Sequence, residues 1–137
     1  AKDVIRGFVH HLAAQIMGQP VETLILGLDK QISISPLSED DARKYLNDWF
    51  SLYETLLTRP VAFFPVSGYE YIKTDKDMVK ANNKFAPQYI GMGEGENPYI
   101  RLTIKSLKDC EEEFIKWSEL LLSPIVELAQ EADHANA

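Results

Sequence analysis

Two strand-like stretches stand in a chain otherwise patterned for helices, and a lone two-stranded hairpin does not hold itself together in water. Residues 21–28 carry Leu24, Ile25 and Leu26 in succession, the pattern of a short strand buried on both faces. After a turn at Asp29-Lys30, Gln31-Ile32-Ser33-Ile34-Ser35 alternates polar and apolar residues, as a half-exposed strand does. The pair must therefore gain further strands or be covered by helices. That requirement predicts a mixed α/β domain, with four to five helices on a small sheet.

Helical signals surround the hairpin. Asp3 is placed to cap a helix whose apolar residues Ile5, Phe8, Val9, Leu12 and Ile16 recur at helical spacing, ended by Gly18 and Pro20. Ser38-Glu39-Asp40-Asp41 resembles a capping box, with acids well placed on the helix dipole. The helix it opens carries Ala42, Tyr45, Leu46, Trp49, Leu52, Tyr53, Leu56 and Leu57 on one apolar stripe, and Pro60 follows. Val61-Ala62-Phe63-Phe64-Pro65 reads as an extended buried connector. Residues 73–86 read as a helix, and Gly91, Gly93 and Gly95 as a loop.

Beyond that loop the signals compete. Asn97-Pro98 starts a helix, whereas Ile100, Leu102 and Ile104 alternate as in a strand; the start signal is favoured. Asp109 with Glu112 predicts the cap of a last helix carrying Phe114, Trp117, Leu121, Ile125 and Leu128, which Pro124 should kink or break. Residues 132–137 read as a frayed tail. The chain, 137 residues and 15.6 kDa, is expected to be one domain, and its first residue, Ala1, predicts a segment cut from a longer protein.

Charge excludes several classes of function. Fourteen basic against twenty-one acidic side chains leave a net charge of −7 and a pI near 4.9. That argues against a general nucleic-acid coat or a polybasic membrane binder. A single cysteine, Cys110, excludes an internal disulfide and a cysteine zinc cage, and fits a reducing cytoplasm. The deficit is uneven: residues 69–108 carry Lys73, Lys76, Lys80, Lys84, Arg101, Lys105 and Lys108 against five acids.

A search for catalytic chemistry finds no constellation. His10 and His11 are adjacent and diverge by about 100° on a helix, so they do not share an ion; they read as a surface histidine beside a partly buried one. Cys110 sits at a helix start, but three following glutamates oppose a thiolate. The stretch from Gly91 to Glu96 lacks the Lys-Ser/Thr of a phosphate loop. No lysine follows an acidic residue at the Asp/Glu-x-Lys spacing of a Mg²⁺-dependent nuclease. No metal or other cofactor is implied for the segment.

One feature points outward instead. Lys73, Lys76, Lys80 and Lys84 are spaced three, four and four, which on a continuous helix forms a basic stripe able to track a phosphate backbone. The plainer alternative is a solvated helix face.

The order of motifs resembles the C-terminal segment of the RecC family, the gamma chain of exodeoxyribonuclease V. The stretches that carry it are Val9-His10-His11-Leu12, Thr23-Leu24-Ile25-Leu26-Gly27-Leu28-Asp29, Ser35-Pro36-Leu37, Arg59-Pro60-Val61-Ala62-Phe63-Phe64-Pro65, Ala81-Asn82-Asn83-Lys84-Phe85, Gly93-Glu94-Gly95-Glu96, Tyr99, Arg101-Leu102, and Leu120-Leu121-Leu122 running into Ser123-Pro124. Asp29-Lys30 departs from the Asp-Gly expected at the turn.

The resemblance implies part of a restriction-endonuclease-like fold without catalytic residues. It also implies a scaffold in a three-subunit helicase–nuclease that resects double-strand breaks for recombinational repair. ATP hydrolysis and strand cleavage would belong to the partners, RecB (helicase–nuclease) and RecD (helicase), with double-stranded and forked DNA reached through the complex and no membrane involved. On this reading Lys73, Lys76, Lys80 and Lys84 face DNA. Phe114, Trp117 and Leu121, on a last helix apolar on both faces, meet a partner. The alternative is a stand-alone protein-interaction domain that never meets nucleic acid.

Overall fold

The apolar period near the start of the chain becomes helix α1 (Lys2–Ile16), which turns Val4, Ile5, Phe8 and Leu12 inward. The computed structural model that reveals this describes residues 1–18, 20–27, 30–87 and 92–133, with the backbone alone for 131–133. The N-cap of α1 is Ala1, which has no capping side chain; Asp3 instead lies inside the first turn, where it complements the dipole. Gly18 takes φ 85°, a left-handed conformation that side chains resist, and its N–H returns to the Gln15 carbonyl at 3.1 Å.

The hairpin forms as strands β1 (Thr23–Leu26) and β2 (Lys30–Ile34), paired antiparallel with Thr23 opposite Ile34 and Leu26 opposite Gln31. The turn predicted at Asp29-Lys30 lies partly outside the described residues, and Lys30 itself opens β2. A third strand, β3 (Ala129–Asp133), pairs with the other side of β2, setting Ala129 opposite Ile34 and Asp133 opposite Lys30. The hairpin thus gains its third strand from the chain's own end. Residues 132 and 133, read from sequence as tail, lie within it, while 134–137 fall outside the described residues. Backbone pairing to an existing edge stabilises a segment with little apolar pattern of its own.

Among the described residues only one face of the sheet is covered. Ile34 is fully buried, and Ile25 and Ile32 pack towards the core, but Leu24 and Leu26 are 53% and 70% exposed. The expectation that β1 is buried on both faces is therefore corrected: it is the edge of an antiparallel sheet with helices on one side. His10 is exposed, whereas His11 is wholly buried, its Nδ1 2.9 Å from Thr23 Oγ1. Gln15 donates to the Val21 carbonyl at 2.6 Å and accepts from the Leu37 N–H at 3.3 Å. One helix face so ties down both ends of the hairpin.

Helix α2 (Glu39–Thr58) starts as its sequence dictates: Ser38 Oγ accepts from the Asp41 N–H at 3.1 Å and donates to the Asp41 carboxylate at 2.6 Å. Residues 61–64 run extended, burying Ala62 and Phe64, and Pro65 opens helix α3 (Pro65–Lys73). Helix α4 (Met78–Phe85), a 3₁₀ turn over Glu94–Glu96, the short α5 (Pro98–Arg101) and a second 3₁₀ turn over Leu107–Cys110 lead to α6 (Glu111–Leu128). Six α-helices and three strands are thus present among the described residues, against four to five helices expected.

The Asn97-Pro98 start signal wins over the alternating pattern that follows it, with Asn97 Oδ1 accepting from the Tyr99 N–H at 3.0 Å. Asp109 does not cap α6. It accepts from the Ser106 N–H at 3.2 Å, closing a capping box on the 3₁₀ turn, and Cys110 stands at the α6 N-cap. Pro124 does not break α6, which continues to Leu128. Burial of Leu121, Leu122 and Ile125 around the proline offsets its missing hydrogen bond.

His11 gives the fold an acid limit. Burial lowers its pKa from the ordinary 6.5, partly opposed by the Ser35 backbone. A depressed folded value means that the unfolded chain binds the proton first. Stability is then complete above about pH 6.5 and declines as pH falls towards the folded value. Thermal melts from about pH 7.5 to 5.5 should show a falling Tm, and His11→Gln should flatten that fall. Parallel pH profiles for both proteins would contradict the assignment.

Candidate functional site

The four lysines do not share one helix. Helix α3 ends at Lys73 with Thr74 as C-cap, and Asp75 and Lys76 both adopt positive φ, 55° and 64°. The Asp75 N–H returns to the Ile72 carbonyl at 3.3 Å and the Lys76 N–H to the Tyr71 carbonyl at 2.8 Å, the paired bonds of a Schellman ending. Asp77 then caps α4, its Oδ1 accepting from the Val79 and Lys80 N–H groups at 2.9 and 3.1 Å. The helix predicted over residues 73–86 is thus two helices around a tight turn. Thr74-Asp75-Lys76-Asp77 carried the signal: aspartate tolerates the left-handed region and is a strong N-cap.

The turn divides the lysines by role. Lys76 Nζ lies 2.8 Å from Glu119 Oε1 on α6, and that carboxylate raises the lysine pKa. Lys80 and Lys84 lie four residues apart on α4, are exposed, and form no ion pair among the described residues. Lys73 stays at the end of α3, across the turn from them. The basic surface left for a ligand is therefore centred on α4.

A groove of about 680 Å³ runs beside the end of α4, with Lys84 and Lys2 on its margin and Phe63 and Pro98 in its wall. One of its lining residues, Glu94, already supplies an anion of the chain's own. Glu94 accepts from the Val66 and Ser67 N–H groups at 3.0 and 2.7 Å and from the Ser67 hydroxyl at 2.7 Å. The α3 N-terminus, where a phosphate would otherwise sit, is capped from within. Gly93 makes this path possible, because a Cβ there would stand 2.1 Å from the Phe85 carbonyl oxygen.

The residues assigned to a partner surface lie elsewhere than expected. Phe114, Trp117 and Leu121 are 0%, 5% and 1% exposed and pack in the chain's own core. An α6 apolar on both sides is explained by its two internal neighbours, so these three side chains have no surface left for a partner. Cys110 is half-buried with Sγ near the Ser106 and Leu107 carbonyls, and burial, followed by Asp109 and Glu113, raises its pKa. It remains a thiol, a poor nucleophile. Among the described residues no three His, Cys, Asp or Glu side chains converge as a metal site, and no helix is long and apolar enough to cross a membrane.

The chain is thus a mixed α/β domain with exposed lysines on α4. The family model for the RecC C-terminal domain matches residues 1–76, more than half of the chain, and the chain belongs to that family. The match takes in α1, the hairpin, α2 and α3, and stops at the turn before α4. Membership makes the chain part of the RecBCD complex, exodeoxyribonuclease V, which acts in DNA repair and recombination. No curated protein matches it.

The left-handed residue at position 75 is a stability handle. Asp75→Gly should raise unfolding free energy by up to about 1 kcal/mol, and Asp75→Val should lower it by about 1 kcal/mol or more. Denaturant titration reads both. A glycine variant less stable than the valine variant would contradict the turn.

Proposed function

We propose that the chain is a non-catalytic scaffold module of an ATP-dependent helicase–exonuclease complex that processes double-strand breaks. In this reading it docks partner subunits and guides DNA strands past α4. The observation that carries the proposal is the RecC C-terminal match across α1 to α3, which ties the chain to that complex. The surface chemistry supports it. Lys80 and Lys84 project from one short helix; the adjacent groove is lined by Lys2 and Lys84 and by Glu94 and Glu96, so the positive charge offered to a phosphate backbone is that of the two α4 lysines. The contacts are to phosphate and carry no sequence information. The partners in this reading are the RecB and RecD subunits, with forked DNA as the shared substrate. The restriction-endonuclease-like ancestry belongs to the same proposal.

The paired and unpaired lysines should behave differently. Lys80→Ala with Lys84→Ala, in the protein that carries this chain, should weaken forked-DNA binding by the complex and reduce the log–log salt slope by about 1.8, two phosphate contacts' worth. Lys76→Ala should leave that slope unchanged and shift stability only slightly, because the Glu119 pair it removes is solvent-screened. An unchanged affinity and slope for the double variant would remove α4 from the DNA path.

A further inference from the structure

Helix α2 carries more apolar surface than its own fold uses. Ala42 and Leu52 are buried, and Tyr45, Leu46 and Trp49 are half-buried against the core. Phe50, Tyr53 and Leu57 join neither internal cluster and are 55%, 58% and 69% exposed. The apolar stripe of the sequence is therefore two stripes, one inward and one outward, and Phe50 belongs to the second.

The outward stripe has a definite spacing. Phe50, Tyr53 and Leu57 are three and four residues apart, with half-buried Leu46 four residues before Phe50 at the stripe's inner end, the period with which one helix presents a seam to another helix. Its two edges differ. Asp40, Asn47 and Glu54 recur every seven residues along one edge and are all exposed. Ala42 and Trp49 lie along the other, towards the core, with Leu56, 50% exposed, continuing that edge outside it. A partner helix is thus met by apolar side chains along the seam and by negative charge on a single flank.

We infer that α2 docks an amphipathic helix of another polypeptide, apolar along its seam and carrying Lys or Arg on the flank that faces Asp40 and Glu54. Charge decides against a second copy of the same helix. An antiparallel pair of α2 helices would set the two acidic edges against each other, and a parallel pair would set them against Trp49 and Leu56 with no counter-charge. This rests on the reading of the chain as a subunit-docking module and names the face that docks.

A photo-crosslinking benzophenone at position 53 of the protein, in the assembled three-subunit complex, tests the face directly. The expected product joins position 53 to another subunit, at a helix with basic residues beside its apolar seam. Phe50→Ser with Leu57→Ser should weaken subunit association about tenfold or more, with Tm unchanged because neither side chain belongs to the core. A complex that assembles while position 53 crosslinks only within its own chain, to a second copy, or to nothing overturns the α2 assignment and leaves the scaffold reading standing. A wild-type protein that does not assemble overturns both.

Discussion

Helix α6 is the wall that two hydrophobic clusters share, and the placement of every outward surface follows from how it is held. Phe114, one turn into α6, stacks near Phe64 and meets Tyr71 edge-on, with centroids 6.3 and 5.8 Å away. Trp117, Leu121, Leu122 and Ile125 close the second cluster against α1, α2 and the sheet. Glu113 fixes the start of the helix between them. Its carboxylate accepts from Arg59 at 2.6 Å and from the Ala62 N–H at 3.0 Å, and Arg59 holds its pKa below the usual range. One acid thereby joins the end of α2, the extended connector and α6.

Close approach between α3 and α6 depends on small residues. A Cβ on Gly68 would stand 2.6 Å from Ser118 Oγ and 2.8 Å from Leu122 Cδ1, so glycine is needed where the helices cross. With α3 held there, the turn at residues 74–77 sends α4 back across Phe64, where Phe85 packs at 4.8 Å between ring centroids. Lys80 and Lys84, each one residue before buried Ala81 and Phe85, flank that inward face on one side of α4 and stay exposed. At the other end α6 runs straight into β3, so the helix that packs the core also delivers the strand that completes the sheet.

Much of this was legible in the residues. Ser38 with Asp41, the prolines at 60 and 65, and Asn97-Pro98 mark local hydrogen-bond and φ constraints, and each marks a boundary where it acts. The features in which structure and sequence pattern part are those that only tertiary structure decides. Leu24-Ile25-Leu26 looks doubly buried, but burial depends on how many layers cover the sheet. Residues 129–133 have little strand pattern in the sequence, and it is backbone pairing to the β2 edge that holds them extended. The lysine row looked continuous because periodicity passes over a turn formed by two non-glycine residues with positive φ. Trp117 looked like a partner anchor because a helix apolar on both faces can be satisfied from inside the chain or outside it. The outward seam of α2 was hidden for the converse reason: one wide apolar stripe in sequence covers an inward and an outward face.

On the proposed reading this domain, with two hydrophobic clusters walled by α6, works by contact with other subunits of the complex. Sizing chromatography of the purified chain mixed with the helicase–nuclease and helicase subunits tests it most directly. Co-elution with at least one of them is expected, at a position distinct from either component alone. Elution of the chain at its own position in both mixtures, while it melts cooperatively as a folded domain, would contradict it.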